Sequence, residues 1–149
     1  MPCRATTKAR AKSVSSVLSG VPIAIIPDYW PVASGLLDRA VSYSGGRYEL
    51  ADIFDALMSG KMQLWSAGGD DGKPHVVAVT EIVNYPHKRV ANISMLAGEG
   101  RDRWLHHLES VEKWARDNDC EAIELRGRAG WERVLKDWDL RQIILEKEL

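Results

Sequence analysis

The chain has 149 residues, 45% of them hydrophobic and 28% charged, and a net charge of −1. That length buries one self-sufficient core, and the composition is that of an ordinary globular domain. No apolar run approaches the roughly 20 residues of a membrane span, and the start, Met1-Pro-Cys-Arg, lacks the apolar middle of a secretory signal. The cysteines, Cys3 and Cys120, make no disulfide framework. The expected setting is reducing and cytosolic, with no membrane partner.

Charge is unevenly spread. Residues 1–20 carry Arg4, Lys8, Arg10 and Lys12 without an acid, which leaves −5 on the rest. The expected organisation is a basic, Ser/Thr/Ala-rich arm over 1–20 and a single globular domain over 21–149. Such an arm suits contact with something negative, a nucleic acid or an acidic protein face, or simple solvation.

In chain order, Val21-Pro-Ile-Ala-Ile-Ile26 predicts a short edge strand with Pro22 at its start. Trp30-Pro31-Val32 opens a helix, Pro31 sitting where a missing N–H is harmless. Leu36, Leu37, Ala40 and Val41 give that helix a buried face, and Ser44-Gly-Gly46 ends it. Leu50, Ile53, Phe54 and Leu57 recur at helical spacing up to a stop at Ser59-Gly60. Alternation follows, with Met62, Leu64 and Ser66 on one side and Gln63, Trp65 and Ala67 on the other. Gly68-Gly-Asp-Asp-Gly72 is a turn signal, residues 74–83 form the returning strand, and Asn84-Tyr-Pro-His-Lys88 turns the chain again.

The stretch 90–125 is the most informative. Val90-Ala-Asn-Ile-Ser-Met-Leu96 reads as an apolar strand and Ala97-Gly-Glu-Gly-Arg101 as a glycine loop. An amphipathic helix over 102–117 then buries Trp104, Leu105, Leu108, Val111 and Ala115, and residues 121–125 form a further strand. A strand that turns through glycines into a helix leaves backbone N–H groups off the helix start, a cradle for an anion. Trp131, Val134, Leu135 and Trp138 line a last helix, and residues 140–145 close as a final strand. Hairpin-linked strands followed by one strand–helix–strand crossover imply an α/β domain: a mixed central sheet with helices on both faces.

This order of elements resembles that of the GNAT acyl-CoA N-acyltransferases. In that family the loop after the fourth strand reads Gln/Arg-x-x-Gly-x-Gly/Ala; its amides wrap the CoA pyrophosphate, and the strand before it pairs with the pantetheine arm. The resemblance implies acetyl-CoA as cofactor, with Leu96, Gly98, Gly100, Arg101 and Arg103 as its binding residues. The chain departs from the pattern in three ways. Met95 stands where the family has Gln or Arg, Glu99 lies between the glycines, and Asp102 follows them. Carboxylates near a pyrophosphate repel it, and Arg101 and Arg103 offset this only in part. Many family members place a tyrosine after the last helix to protonate the leaving thiolate. All four tyrosines here (Tyr29, Tyr43, Tyr48, Tyr85) precede that region. A general base would be a strand carboxylate, Glu81 or Glu124, or else His87, although each also suits a plain solvent-facing strand or turn position.

The stretches Ile26-Pro-Asp-Tyr-Trp30, Met62-Gln-Leu-Trp65 and Gly127-Arg-Ala-Gly-Trp-Glu-Arg-Val-Leu135 further resemble small GNAT-like proteins of tailed bacteriophages. This implies a virion or host-cytoplasm location and other phage or virion proteins as partners. The partner-binding residues would be Arg4, Lys8, Arg10 and Lys12 of the arm, which could also meet nucleic acid, with Trp30, Arg126 and Arg128 of the body. Two functions follow. In the first, the fold has a degenerate acyl-CoA site and acts as a virion-associated or assembly component. In the second, it is a working N-acetyltransferase that moves an acetyl group from acetyl-CoA to an amine. No metal site is expected, because His106 and His107 are adjacent on a helix and their side chains diverge.

Overall fold

The structure, a computed structural model, describes residues 17–68, 73–98, 105–127 and 130–149. Its centre is a five-stranded sheet in the order β1-β2-β3-β4-β5, made of β1 (Ser19–Gly20), β2 (Gln63–Gly68), β3 (Pro74–Tyr85), β4 (Lys88–Gly98) and β5 (Ala122–Leu125). The first three pairings are antiparallel and the last, β4 with β5, is parallel. Connectivity requires this, since β4 reaches β5 through helix α3 (Leu108–Asp117), entered by a 3₁₀ turn at Leu105–His107. Helices α1 (Ile26–Ser42) and α2 (Leu50–Met58) precede β2, and a one-turn helix α4 (Trp131–Val134) follows β5. The fold is the mixed α/β architecture expected from the sequence.

Alternation along the strands divides the core in two. On one face Leu64, Val77, Val79 and Met95 meet Ile26, Leu37, Ile53 and Leu57 of α1 and α2. On the other, Trp65, Ala67, Val76, Ala78 and Ile93 meet Leu108 and Val111 of α3 and Leu135 beyond α4. Local signals hold these layers in place. The Glu49 amide donates to Asp52 Oδ2 (2.9 Å) in a reciprocal cap at the start of α2. The turn after α1 uses Gly45 and Gly46 at φ of 67° and 78°, a region that costs a side-chain-bearing residue more than glycine.

Three expected elements differ. Residues 21–26 are not a strand. Pro22 supplies no N–H for a ladder, its carbonyl accepts from the Ile25 amide (2.9 Å), and a 3₁₀ turn at Ile23–Ile25 runs straight into α1. The helix therefore begins ahead of Trp30, with Pro27 in its first turn and Pro31 inside it. The edge strand is instead Ser19–Gly20, paired with Ser66 and Trp65, while Leu18 is buried in the α3-side core. The sheet thus starts within the stretch assigned to the arm, whose cations Arg4, Lys8, Arg10 and Lys12 lie outside the described residues.

The helix expected across 131–138 is a single turn, too short to hold itself without packing. Trp131 and Trp138 nevertheless lie half-buried on the α3-side core. Residues 140–145 form no strand, because a strand has no stability without a ladder partner and none pairs with them here. Among the described residues, no helix is long and apolar enough to cross a membrane.

Candidate functional site

The site begins with an irregularity in β4. Val79 pairs with Met95, but the next residue of β3, Thr80, pairs with Ile93, so Ser94 has no partner. This is a β-bulge, and one extra residue switches every later side chain to the other face. Ile93 lies on the α3 side and Leu96, three positions on, returns to that side, while Met95 and Ala97 face α1 and α2.

The bulge coincides with the end of β5. The parallel pairing runs from Val90 with Ala122 to Ile93 with Leu125 and stops there. Residues 95–98 of β4 keep β3 along one edge and, among the described residues, have no strand along the other. Alternate N–H and C=O groups of an extended chain point to opposite edges, so this end of β4 offers a row of backbone donors and acceptors to an open slot. An extended molecule carrying amide groups is the natural complement of such an edge.

Beside the bulge, three polar side chains share one face. Glu81 of β3 is in register with Asn92 of β4, which is in register with Glu124 of β5. Residues in register on neighbouring strands point the same way, and the alternation places all three on the α1 side. With strands about 4.8 Å apart, the two carboxylate-bearing backbones stand roughly 10 Å from each other with Asn92 between them. Asn92 is only 5% exposed. Its Nδ2 donates to Ser94 Oγ at 3.0 Å, but its Oδ1 is buried without a hydrogen-bond partner. Neither carboxylate has a side-chain partner among the described residues. A buried carbonyl left unpaired costs free energy, of order 1–3 kcal/mol.

Glu81 and Glu124 are thus brought together as a pair. Leu96 is half-buried against the α3-side core, next to the open edge. Gly98 ends β4 opposite Val76, where an added Cβ would stand 2.7 Å from both the His75 carbonyl oxygen and Val76 Cγ2. Gly100, Arg101, Arg103 and Arg128 lie outside the described residues. Arg126 is exposed and donates to Tyr85 Oη (2.9 Å), tying the end of β3 to the chain leaving β5. Trp30 is half-buried, its ring tilted against Phe54 at 5.2 Å. His106 and His107 do not diverge as expected: in the 3₁₀ turn just ahead of α3 their ring centroids lie 4.1 Å apart, the planes tilted by 40°. Burial, and then the neighbouring His106, lower the pKa of His107 from its ordinary 6.5.

The sequence reading missed Asn92 and the bulge. The signal for both was Asn-x-Ser inside an otherwise apolar strand, two polar residues that a regular buried strand has no use for.

No family model matches the chain, and no curated protein matches its sequence. Solved structures do match. Glucosamine-6-phosphate N-acetyltransferase of Arabidopsis thaliana has 13% identity and a TM-score of 0.64, over 88% of this chain and 96% of that one. A GNAT family acetyltransferase of Staphylococcus aureus has 12% identity and a TM-score of 0.62, covering 89% and 98%. A predicted acetyltransferase of Clostridium acetobutylicum, solved with acetyl-CoA, has 14% identity and a TM-score of 0.62, covering 89% and 94%. The chain has the fold of the GNAT acetyltransferases.

Proposed function

We propose that this protein is an N-acyltransferase that moves an acetyl group from acetyl-CoA to a primary amine. The observation that carries the reading is the coincidence, at Ser94, of a bulge, a strand edge left open over 95–98 among the described residues, and the row Glu81–Asn92–Glu124. That coincidence sits on a fold shared with acetyltransferases, one of them solved with acetyl-CoA.

The chain's residues fit the group. The free edge of β4 would take the extended, amide-bearing arm of the cofactor, with Leu96 against its apolar portion. Gly98 leads to Gly100, Arg101 and Arg103, which the family resemblance assigns to the phosphates. Bound there, acetyl-CoA supplies an activated thioester carbonyl. Asn92 Oδ1 would accept one N–H of the acceptor amine and so orient it. Glu81 or Glu124 would take the proton that a protonated amine must lose before it becomes a nucleophile. No tyrosine follows α3, so no phenol from that part of the chain would supply the proton for a leaving thiolate.

The other reading, a virion-associated or assembly component with a degenerate site, draws no support from the structural neighbours, whose descriptions name acetyltransferases.

The test is unfolding with and without millimolar acetyl-CoA. Ligand at 100 times its Kd stabilises the native state by about 2.7 kcal/mol. Absence of any shift removes the acyl-CoA reading. If the shift appears, thiol release in the presence of simple primary amines follows, and Glu81→Gln and Glu124→Gln identify the base by a loss of about 100-fold in kcat.

A further inference from the structure

The face that carries Glu81, Asn92 and Glu124 also carries a bond that crosses it. Glu81, Val83 and Tyr85 of β3 are in unbroken register with Asn92, Val90 and Lys88 of β4, so Tyr85 points to the same side as Glu81. Arg126 follows β5 directly, two residues past Glu124. Its Nη2 donates to Tyr85 Oη at 2.9 Å, which sets its head on that side as well. The strands that bear the two side chains flank β4. Their contact therefore spans β4 on the face of the row.

A guanidinium has five N–H donors and a permanent charge. Arg126 is exposed, and among the described residues its head meets the Tyr85 hydroxyl and no carboxylate. The phenol holds one donor and leaves the others to a ligand. The face thus has two poles. Two carboxylates and the unpaired Asn92 Oδ1 make one, and Arg126 makes the other. Along β5 the backbones of Glu124 and Arg126 stand roughly 7 Å apart, two residues of extended chain. Lys88 shares the face but lies four residues from Asn92, roughly 13 Å away.

We propose that the acceptor is a primary amine carrying a carboxylate or a phosphate on a short alkyl spacer. The amine takes the row, the anion takes Arg126, and Tyr85 is the positioning residue that aims the guanidinium. The inference rests on the acyltransferase reading and names the substrate class of the same site. A plain alkylamine meets only one pole, and a diamine brings a second cation against the guanidinium. An anionic amine satisfies both poles, since a guanidinium grips carboxylate and phosphate oxygens through paired N–H groups. Without Arg126 that anion would stand beside two carboxylates and be repelled.

Thiol release from acetyl-CoA is to be compared for butylamine, diaminobutane, γ-aminobutyrate and aminopropyl phosphate. The two anionic amines should exceed the other two in kcat/KM about tenfold, the scale of one hydrogen bond to a charged group, and their own ratio tells carboxylate from phosphate. Arg126→Gln should bring the preference close to unity, through KM. Tyr85→Phe should raise KM for the anionic amines alone and leave kcat. Lys88→Gln should keep the preference. Without turnover, and with CoA present, aminopropyl phosphate should raise the unfolding midpoint of the unaltered protein and not that of Arg126→Gln. Equal kcat/KM for all four amines overturns the inference and leaves the acyltransferase reading standing. So does a preference that survives Arg126→Gln or vanishes in Lys88→Gln, and so do equal midpoint shifts in the two proteins. Thiol release with none of the four removes the acyltransferase reading and this inference with it.

Discussion

The two ends of β4 are built from similar residues and behave differently. Residues 88–93 lie between two strands, with β3 on one side and, from Val90 on, β5 on the other. Val90, Ala91 and Ile93 are fully buried there. Residues 95–98, past the bulge, have β3 alone among the described residues, and exposure rises toward Gly98. From Val90 on, the first end is a core strand paired along both edges. The second has the same backbone groups but, among the described residues, a strand partner along one edge only. A sheet acquires a binding slot when one strand stops short and its neighbour continues, and the bulge keeps Leu96 facing the core that the shift would otherwise have turned it from.

The largest expected effect breaks the paired end. Ile93→Ala removes a fully buried side chain between β3, β5 and α3 and should cost about 3 kcal/mol of stability, read as a lower midpoint in urea. Leu96→Ala at the free end is the counterpart. It should cost about 1 kcal/mol but abolish most of the stabilisation by acetyl-CoA. Equal stability losses at the two positions would mean that the free end is packed like the core and is no slot. Gly98→Val comes next. Its Cβ meets backbone of β3 at 2.7 Å, contacts that cannot give way without shifting the strand. About 2 kcal/mol should be lost through this overpacking, along with acetyl-CoA binding.

How much of this was legible in the sequence follows from the same contrast. Strands with regular alternation, such as Met62 to Ala67, could be read face by face, because their side chains obey a period of two. Helix α2 was legible because its spacing and its stop agree. Residues 21–26 were misread because an apolar run with one proline suits an edge strand as well as a 3₁₀ lead into a helix; only the Pro22 carbonyl to Ile25 amide bond decides between them. Residues 140–145 read as a strand because their composition is that of one, and composition does not say which edge a strand will find. Glu81 and Glu124 could be picked out individually as carboxylates on strands. Their convergence on Asn92 could not, since it depends on the register of three strands far apart in sequence.

Asn92 itself gives a prediction of opposite sign. Asn92→Leu exchanges a buried carbonyl without a partner for an apolar group of similar size. Stability to urea should hold or rise, within about 1 kcal/mol, while turnover with a primary amine falls and the acetyl-CoA shift persists. A loss of stability beyond that would make Asn92 a structural residue of the bulge, acting through Ser94.

The smallest effect concerns the helix that receives the chain from the free end. His107 is held below its ordinary pKa by burial and then by His106, so the folded state binds its proton less readily than the unfolded chain does. Stability contributed by the neutral imidazole is present above the unfolded value of about 6.5. It declines as pH falls from there toward the lowered folded pKa, because unfolding then takes up a proton. His107→Gln should therefore flatten the midpoint-against-pH curve just below pH 6.5 without altering the plateau above it. The free end of β4, where we propose that acetyl-CoA binds, lies close in sequence to this turn. If its binding buries His107 further, the midpoint in saturating acetyl-CoA should fall more steeply below pH 6.5 than in its absence. An unchanged slope would place the bound cofactor clear of the start of α3.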